Sequence, residues 1–315
     1  MVASARNICV VLIWFILGAA ALTAQPPGLR PQVRTVTIPI SIFTKQELKE
    51  RRAEEFVQAD TLTVREDNDE QQILSIRSVT ESPLSIALVI QDDLTSNFNL
   101  QLKDIAEFIR GLPKGTRVMV AYARSGSMQV TQKFTDDLEL AAKSLRIVSS
   151  SSGMAPRSPY ESVQEVLSRF DAMPAGRRAI LLFSDGLDTT GGLNLASVSQ
   201  SFDLDQAVLK AQRRSVAVYS FYSPTEFTNG NSVLALGAQG ALEKLSEQTG
   251  GRAFFQGTVA PISFIPFFRD LVLSLNRQFA LTYMSTHMNK GYHKVDVVST
   301  NPEVRIQHPK GYYYR

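Results

Sequence analysis

Oxygen-bearing side chains gather at three places in this sequence, and their types point to one chemistry. Gln91-Asp92-Asp93-Leu94-Thr95-Ser96 follows an apolar run, Arg157-Ser158-Pro159 precedes an amphipathic stripe, and Ser184-Asp185-Gly186-Leu187-Asp188 follows a second apolar run. Carboxylates, hydroxyls and amides with no histidine or cysteine among them are ligands for hard cations: Mg²⁺, Mn²⁺ or Ca²⁺. The same residues have a purely structural reading, in which Asp92 and Asp93 cap the helix that follows. Asp188 is expected to be a turn residue or an outer partner of the site. His287, His293 and His308 lack the spacing of a metal motif and are expected to be structural or surface groups rather than zinc ligands. There is no Gly-x-Ser-x-Gly elbow and no phosphate-binding loop. A metal-dependent hydrolase built on Asp92, Asp93 and Asp185 would lack a nearby histidine as general base.

The elements that must position these loops follow from periodicity. Leu84 to Ile90 (LSIALVI), Arg117 to Tyr122, Ala179 to Phe183 (AILLF) and Val216 to Phe221 are apolar runs of strand length, as in a sheet covered on both faces. Helical stripes alternate with them. Leu102, Ile105, Ala106 and Ile109 form one, and Tyr160, Val163, Val166, Leu167 and Phe170 another. Further helices are expected from Thr135, as N-cap, to about Leu145, over Leu204 to Gln212, over Ala241 to Gln248 with Gly250-Gly251 as the stop, and over Phe264 to Asn276. Gln129 to Gln132 reads as a hairpin partner after the Ser125-Gly126-Ser127 turn. Strands alternating with helices imply an α/β fold with a doubly wound, Rossmann-like, mostly parallel central sheet. Ligands bind such sheets at the carboxyl ends of the strands, where the three oxygen-rich loops fall.

Both ends of the chain read differently. Val33 to Ile42, Thr61 to Val64 and Gln72 to Ile76 alternate as strands, the last two joined by the polar turn Glu66-Asp67-Asn68-Asp69. Phe279 to Met284, Lys294 to Val298, Val304 to Ile306 and Tyr312 to Tyr314 do the same near the C-terminus. These strands are expected to pair as one small β-domain, with Tyr312-Tyr313-Tyr314 at a strand edge. Lys45 to Glu55 is a solvated charged stretch. The expected organisation is 1–24 signal peptide, 25–32 extended leader, 33–80 N-terminal β segment, 81–277 α/β domain and 278–315 C-terminal β segment.

The leader has the anatomy of export. Arg6 precedes the apolar run Ile8 to Leu17, and small residues continue to Ala24 before Pro26-Pro27. This stretch is short for a membrane span, and cleavage is expected after Ala21 or Ala24. The alternative is an uncleaved anchor helix. Cys9, the one cysteine, lies inside it, so the remainder of the chain has neither disulfide nor thiol nucleophile. A net charge of +3 over 315 residues gives no basic field for nucleic acid.

The succession IALVIQDDLTS, RSPYESV and LLFSDGLD resembles the metal-ion-dependent adhesion site of von Willebrand factor type A domains. Such a site takes an Asp-x-Ser-x-Ser loop, a threonine from a second loop and an aspartate from a third. LTVREDNDEQQILSI, SEQTGGRAFF, RQFALTY and HPKGYYYR are similar to the flanking parts of an exported bacterial group common in acidobacteria, over roughly residues 33–315. The resemblance implies Gln91, Asp93, Thr95, Ser158 and Asp185 as the metal set, or Asp92 and Ser96 in a register shifted by one. Neither register is intact, because glutamine stands for the leading aspartate in the first and leucine for the middle hydroxyl in the second. Asp185 matches best. Ser125-Gly126-Ser127 imitates the hydroxyl part, but Ala123 stands where its aspartate would be.

What the resemblance implies is a periplasmic or secreted interaction module and not an enzyme. A Mg²⁺, Mn²⁺ or Ca²⁺ ion would keep one coordination position open for an Asp or Glu of a protein partner. No nucleic-acid partner and no membrane span after signal cleavage are expected. The alternatives are a metal-independent scaffold with a decayed site and, from another class, the hydrolase considered above.

Overall fold

The alternating N-terminal segment produces β1 (Arg34–Thr44), β2 (Leu62–Glu66) and β3 (Asp69–Ser78). Asp67 and Asn68 close the β2–β3 hairpin at φ 50° and 76°. A two-residue turn of this hand demands left-handed residues, and Asp and Asn tolerate that conformation better than other residues bearing a Cβ. This computed structural model describes residues 33–44, 62–79, 82–125, 127–174, 176–190 and 201–314. The expected signal peptide, leader and charged stretch Lys45 to Glu55 lie outside those residues.

Strands and helices then alternate. They run β4 (Leu84–Gln91), α1 (Leu102–Arg110), β5 (Arg117–Arg124), β6 (Ser127–Thr135), α2 (Leu138–Lys143), α3 (Pro159–Arg169) and β7 (Arg177–Ser184). After them come α4 (Phe202–Arg213), β8 (Ala217–Tyr222), α5 (Ser232–Thr249), β9 (Ala253–Phe254) and α6 (Ile265–Asn276). The chain closes with β10 (Gln278–Ser285), β11 (Gly291–Ser299), β12 (Val304–Gln307) and β13 (Gly311–Tyr314).

The middle segment forms a six-stranded sheet in the order β6-β5-β4-β7-β8-β9. All neighbours are parallel except the edge strand β6. Counted from β4, this is the doubly wound order 3-2-1-4-5-6, whose direction reverses between the first and fourth strands. Every residue of β4 is buried, because both faces are covered. Ile86, Leu88 and Ile90 pack with Ile105 and Ile109 of α1 and Leu271 of α6. Ala87 and Val89 pack with Val163 of α3, Leu204 of α4 and Leu242 of α5.

Three phenylalanines in register across β7, β8 and β9 strengthen one face. Phe183 stacks on Phe221 at 4.8 Å and Phe221 on Phe254 at 4.9 Å, with Phe264 edge-on to Phe183 at 5.3 Å. The residues flanking the helices formed the second sheet, in the order β12-β1-β10-β3-β2-β11-β13, antiparallel throughout. N- and C-terminal strands thus interleave, and Ile38, Ile40, Val64, Leu281, Tyr283 and Val297 fill their own core. Tyr313 of the edge strand β13 receives the Arg213 guanidinium of α4 at 4.1 Å from its ring.

Three local expectations need correction. Thr135 ends β6, and Asp137 is the N-cap of α2, its carboxylate accepting from Leu140 N at 2.9 Å. Helix α2 also stops at Lys143, short of Leu145. Helix α5 begins at Ser232, behind the cap Asn231, rather than at Ala241, and ends at Gly250, at φ 84°. Strand β9 escaped the sequence reading because two residues carry no period. Among the described residues, no helix is long and apolar enough to cross a membrane.

The middle ring of the phenylalanine row is fully buried. Phe221→Ala is therefore expected to cost about 3–5 kcal/mol, read as a lowered urea midpoint with unchanged slope. A loss below about 1 kcal/mol would contradict this packing.

Candidate functional site

The reversal of strand order places the ends of β4 and β7 side by side, and the loops leaving them diverge. Gln91 closes β4, and its side chain turns toward β7. Its Oε1 accepts from Ser184 Oγ at 2.5 Å and from Asp185 N at 3.3 Å. With the amide oxygen so engaged, the amide NH₂ is left as the donor, and the Gln91 side chain draws down the proton affinity of both Asp93 and Asp185. A glutamine thus links the ends of β4 and β7 beside the Asp185 loop.

Asp92 points elsewhere. Arg146 grips it with Nη1 at 2.7 Å and Nη2 at 3.0 Å, Arg124 Nε lies 3.2 Å from Oδ2, and Ser149 N donates to Oδ1 at 3.1 Å. Arg146 also lies over the Tyr122 ring at 3.9 Å. Two guanidiniums and a backbone donor occupy this carboxylate and repel a cation. Of the shifted register, then, Asp92 belongs to an arginine clamp, and Ser96 is exposed at the start of a short 3₁₀ turn. Neither Asp92 nor Asp93 caps that turn; its N-cap is Thr95, with no side-chain cap bond.

Asp185 is held by its own loop and by a residue that the sequence reading missed. Leu187 N donates to Oδ1 at 3.0 Å, and Thr225 Oγ1 donates to Oδ2 at 2.6 Å. Gly186 makes the turn possible. It sits at φ 76°, and a Cβ there would lie 2.6 Å from Ala238 O and from Leu242 Cγ of α5. Tyr160 OH donates to the Gly186 carbonyl at 2.7 Å, fixing the loop to α3. Thr225 follows β8 in Ser223-Pro224-Thr225-Glu226, a short strand end with no resemblance to the adhesion-site motifs. Thr95 N donates to Pro224 O at 3.0 Å, joining the first loop to this third one.

Ser158 is the N-cap residue of α3, but its hydroxyl donates to Asp188 Oδ2 at 3.1 Å. Asp188 also accepts from Ser201 Oγ and, through Oδ1, from Thr190 N at 2.9 Å and Thr190 Oγ1 at 2.6 Å. Among the five residues of the first register, Gln91, Asp93 and Asp185 come together. Thr95 lies on the adjoining backbone, and Ser158 is engaged by Asp188.

Burial governs the electrostatics. Asp93 and Asp185 are 3% and 1% exposed, and no cationic side chain among the described residues hydrogen-bonds to either. Burial first, then the Asp185 charge, pushes the Asp93 carboxyl up to about 7, against the pull of Gln91. Burial likewise raises Asp185, opposed by its bonds to Thr225 and Leu187 N. Asp93 Oδ1 and Thr95 Oγ1 are buried with no hydrogen-bond partner among the described residues. Two carboxylates with unspent lone pairs fit a hard cation. Gln91 fits it less well, since its oxygen is already engaged and its NH₂ is no ligand.

No family model matches this chain, and no curated protein matches it. Solved structures to which it is similar include an aerotolerance-related membrane protein from Bacteroides fragilis, at 13% identity over 62% of this chain and 98% of that one, with a TM-score of 0.43. A von Willebrand factor type A protein from Catenulispora acidiphila is 10% identical over 83% of this chain and 76% of its own, with a TM-score of 0.41. The SpRpn10 VWA domain is 12% identical over 60% and 93%, with a TM-score of 0.38.

In metal-free buffer Asp93 retains its proton in the folded chain up to about 7, whereas its ordinary value is 3.8. The folded state binds more protons across that window, so this group's contribution to stability falls as pH rises from about 4 to about 7 and then levels off. Asp93→Asn is expected to remove that slope and to stabilise the protein at pH 8 by up to about 4 kcal/mol, the two proteins converging near pH 4. Urea midpoints measured across pH check this; parallel curves for the two proteins would refute it.

Proposed function

We propose that this chain is an exported, non-catalytic protein-interaction module of the von Willebrand factor type A kind. Its Asp93–Asp185 pair takes a divalent cation, Mg²⁺, Mn²⁺ or Ca²⁺, and an Asp or Glu of a protein partner completes the coordination. The observation that carries this reading is the pair of buried carboxylates at the switch point, one with an oxygen lacking any hydrogen-bond partner among the described residues. Carboxylate pairs without a counter-ion are costly to bury, and a cation between them offsets that cost. The strand order and the three loops at the carboxyl ends support the same reading.

Asp93, Asp185 and Thr95 would hold the ion, with Ser158 and Asp188 as an outer hydroxyl–carboxylate pair. The ion would supply an open, positively charged position; the chain's own residues shape and bury its base, and no bond is made or broken. The signal-peptide anatomy of residues 1–24 supports export, to the periplasm or beyond the cell. A second reading, a metal-independent scaffold, is favoured by one observation: Gln91, in place of a third carboxylate, has its side-chain oxygen already bonded to Ser184 Oγ and Asp185 N.

Calorimetric titration of the purified protein with Mg²⁺, Mn²⁺ and Ca²⁺ separates the two. The expected result is saturable binding that strengthens as pH rises through about 7 and is lost in Asp185→Ala. Binding unchanged in that variant, or none at all even with a Gln91→Asp variant that binds tightly, would make the natural site a decayed one. Incubation with ester and phosphate substrates and Mn²⁺ is expected to give no turnover. Turnover that disappears in Asp185→Ala would turn the assignment to a hydrolase.

A further inference from the structure

The antiparallel sheet carries a second group of ligand-type residues, remote in sequence from the first and different in chemistry. Glu66 ends β2, Asp67 opens the hairpin turn, and His287 follows β10. We propose that Glu66, Asp67 and His287 form a separate site for one zinc-class divalent ion. One nitrogen and two carboxylate oxygens from these side chains lie within 4.8 Å of one another.

Glu66 supplies the first argument, because a carboxylate is seldom wholly buried without use for both oxygens. Its side chain is 0% exposed. Oε1 is crowded with donors: Tyr312 OH at 2.7 Å, Ser285 Oγ at 2.9 Å and Arg34 Nη2 at 3.3 Å. Oε2 is equally buried and meets no hydrogen-bond partner among the described residues. Arg34 is itself occupied, since its guanidinium lies 3.9 Å from the Tyr314 ring and its Nε donates to His287 O at 2.8 Å.

His287 supplies the second. Its Nε2 lies 3.1 Å from Asp69 Oδ2, so the ring donates its proton there and keeps a lone pair on Nδ1. That Nδ1 is buried, 3.7 Å from Glu66 Oε1, with no hydrogen-bond partner among the described residues. A carboxylate behind the outer nitrogen and an inward lone pair facing carboxylates is how metal-bound histidines are oriented.

Asp67 completes the three. Lys294 N donates to its Oδ1 at 2.8 Å, and His293 Nδ1 lies 2.8 Å from Oδ2. The outer nitrogen of His293 lies 2.7 Å from Asn289 O, so both of its ring nitrogens face acceptors and both donate, which leaves His293 as the group that positions Asp67. Each carboxylate oxygen can accept more than one partner, so these bonds leave Asp67 able to ligate. It stands at the surface, where water can fill a fourth position. Glu66, Asp67 and, through His287, Asp69 oppose the ion's charge against the Arg34 guanidinium and a His293 ring that donates from both nitrogens. An imidazole among the ligands selects zinc, cobalt or nickel over magnesium and calcium, the reverse of the all-oxygen α/β site.

The test is titration of the chelator-treated protein with Zn²⁺ by calorimetry, and with Co²⁺ by visible absorption. Saturable binding of one ion per chain is expected, weakened about tenfold or more in His287→Gln and in Asp67→Asn. Asp67→Asn keeps a residue suited to the left-handed turn, and His287 is partly exposed, so both variants are expected to fold, checked by unchanged far-UV circular dichroism. Asp185→Ala is expected to leave Zn²⁺ binding intact, which keeps this site independent of the cation reading for the α/β loops. Absence of saturable binding, binding unaffected by both variants, or binding lost in Asp185→Ala would overturn the assignment.

Discussion

Ile86 to Ile90 of β4 pair in register with Ala179 to Phe183 of β7, and the rest of the molecule is organised around that contact. Because β5 takes the opposite edge of β4, and β8 that of β7, the sheet is wound outward in both directions from this pair. Helices must then cover both faces, which is why β4 is buried along its whole length. The same pairing opens a crevice where the two strands end, and Gln91 and Ser184 bond across it. Any polar group projecting there leaves water on entering the crevice. The high proton affinity of Asp93 is a direct result of that placement.

Charge is handled differently at neighbouring positions of one loop. Asp92 is fully compensated by Arg124 and Arg146, an arrangement that holds the 146–150 segment against the sheet. One residue later, Asp93 has no such partner among the described residues, and only the Gln91 side chain and a backbone N–H offset its burial. Asp185 is stabilised by a threonine hydroxyl and a backbone N–H, neutral donors that moderate its burial without cancelling its charge. The loop therefore separates a structural carboxylate from a functional candidate by a single step along the chain.

The second sheet imposes a constraint of another kind. Strand β1 bonds to β10 and β12, and β2 bonds to β11, so residues 34–78 and 278–314 are needed together. Such pairings close loops of more than two hundred residues, which makes them slower to form than the local contacts of the α/β segment. The terminal strands are held by the domain they flank. The Arg213–Tyr313 contact and the bond from Lys310 N to Gln248 O tie the last strand back to the helices.

Periodicity was legible without coordinates. The runs LSIALVI, AILLF and VAVYSF are strands because continuous apolar residues of that length need cover on both faces, and the stripes between them supply it. The Asp-Asn turn and the glycine at 250 were readable because single-residue backbone preferences act locally. Which carboxylate faces which partner was not readable. Asp92 and Asp93 are adjacent and chemically identical, and only the position of Arg146, far along the chain, assigns one to an ion pair and the other to the crevice. Thr225, and the meeting of His287 with Glu66, depended equally on contacts between distant segments. Local sequence determined the strands, helices and turns, because propensity and burial period act over a few residues. The tertiary structure alone decided the sites, because proximity and desolvation arise only when remote segments pack.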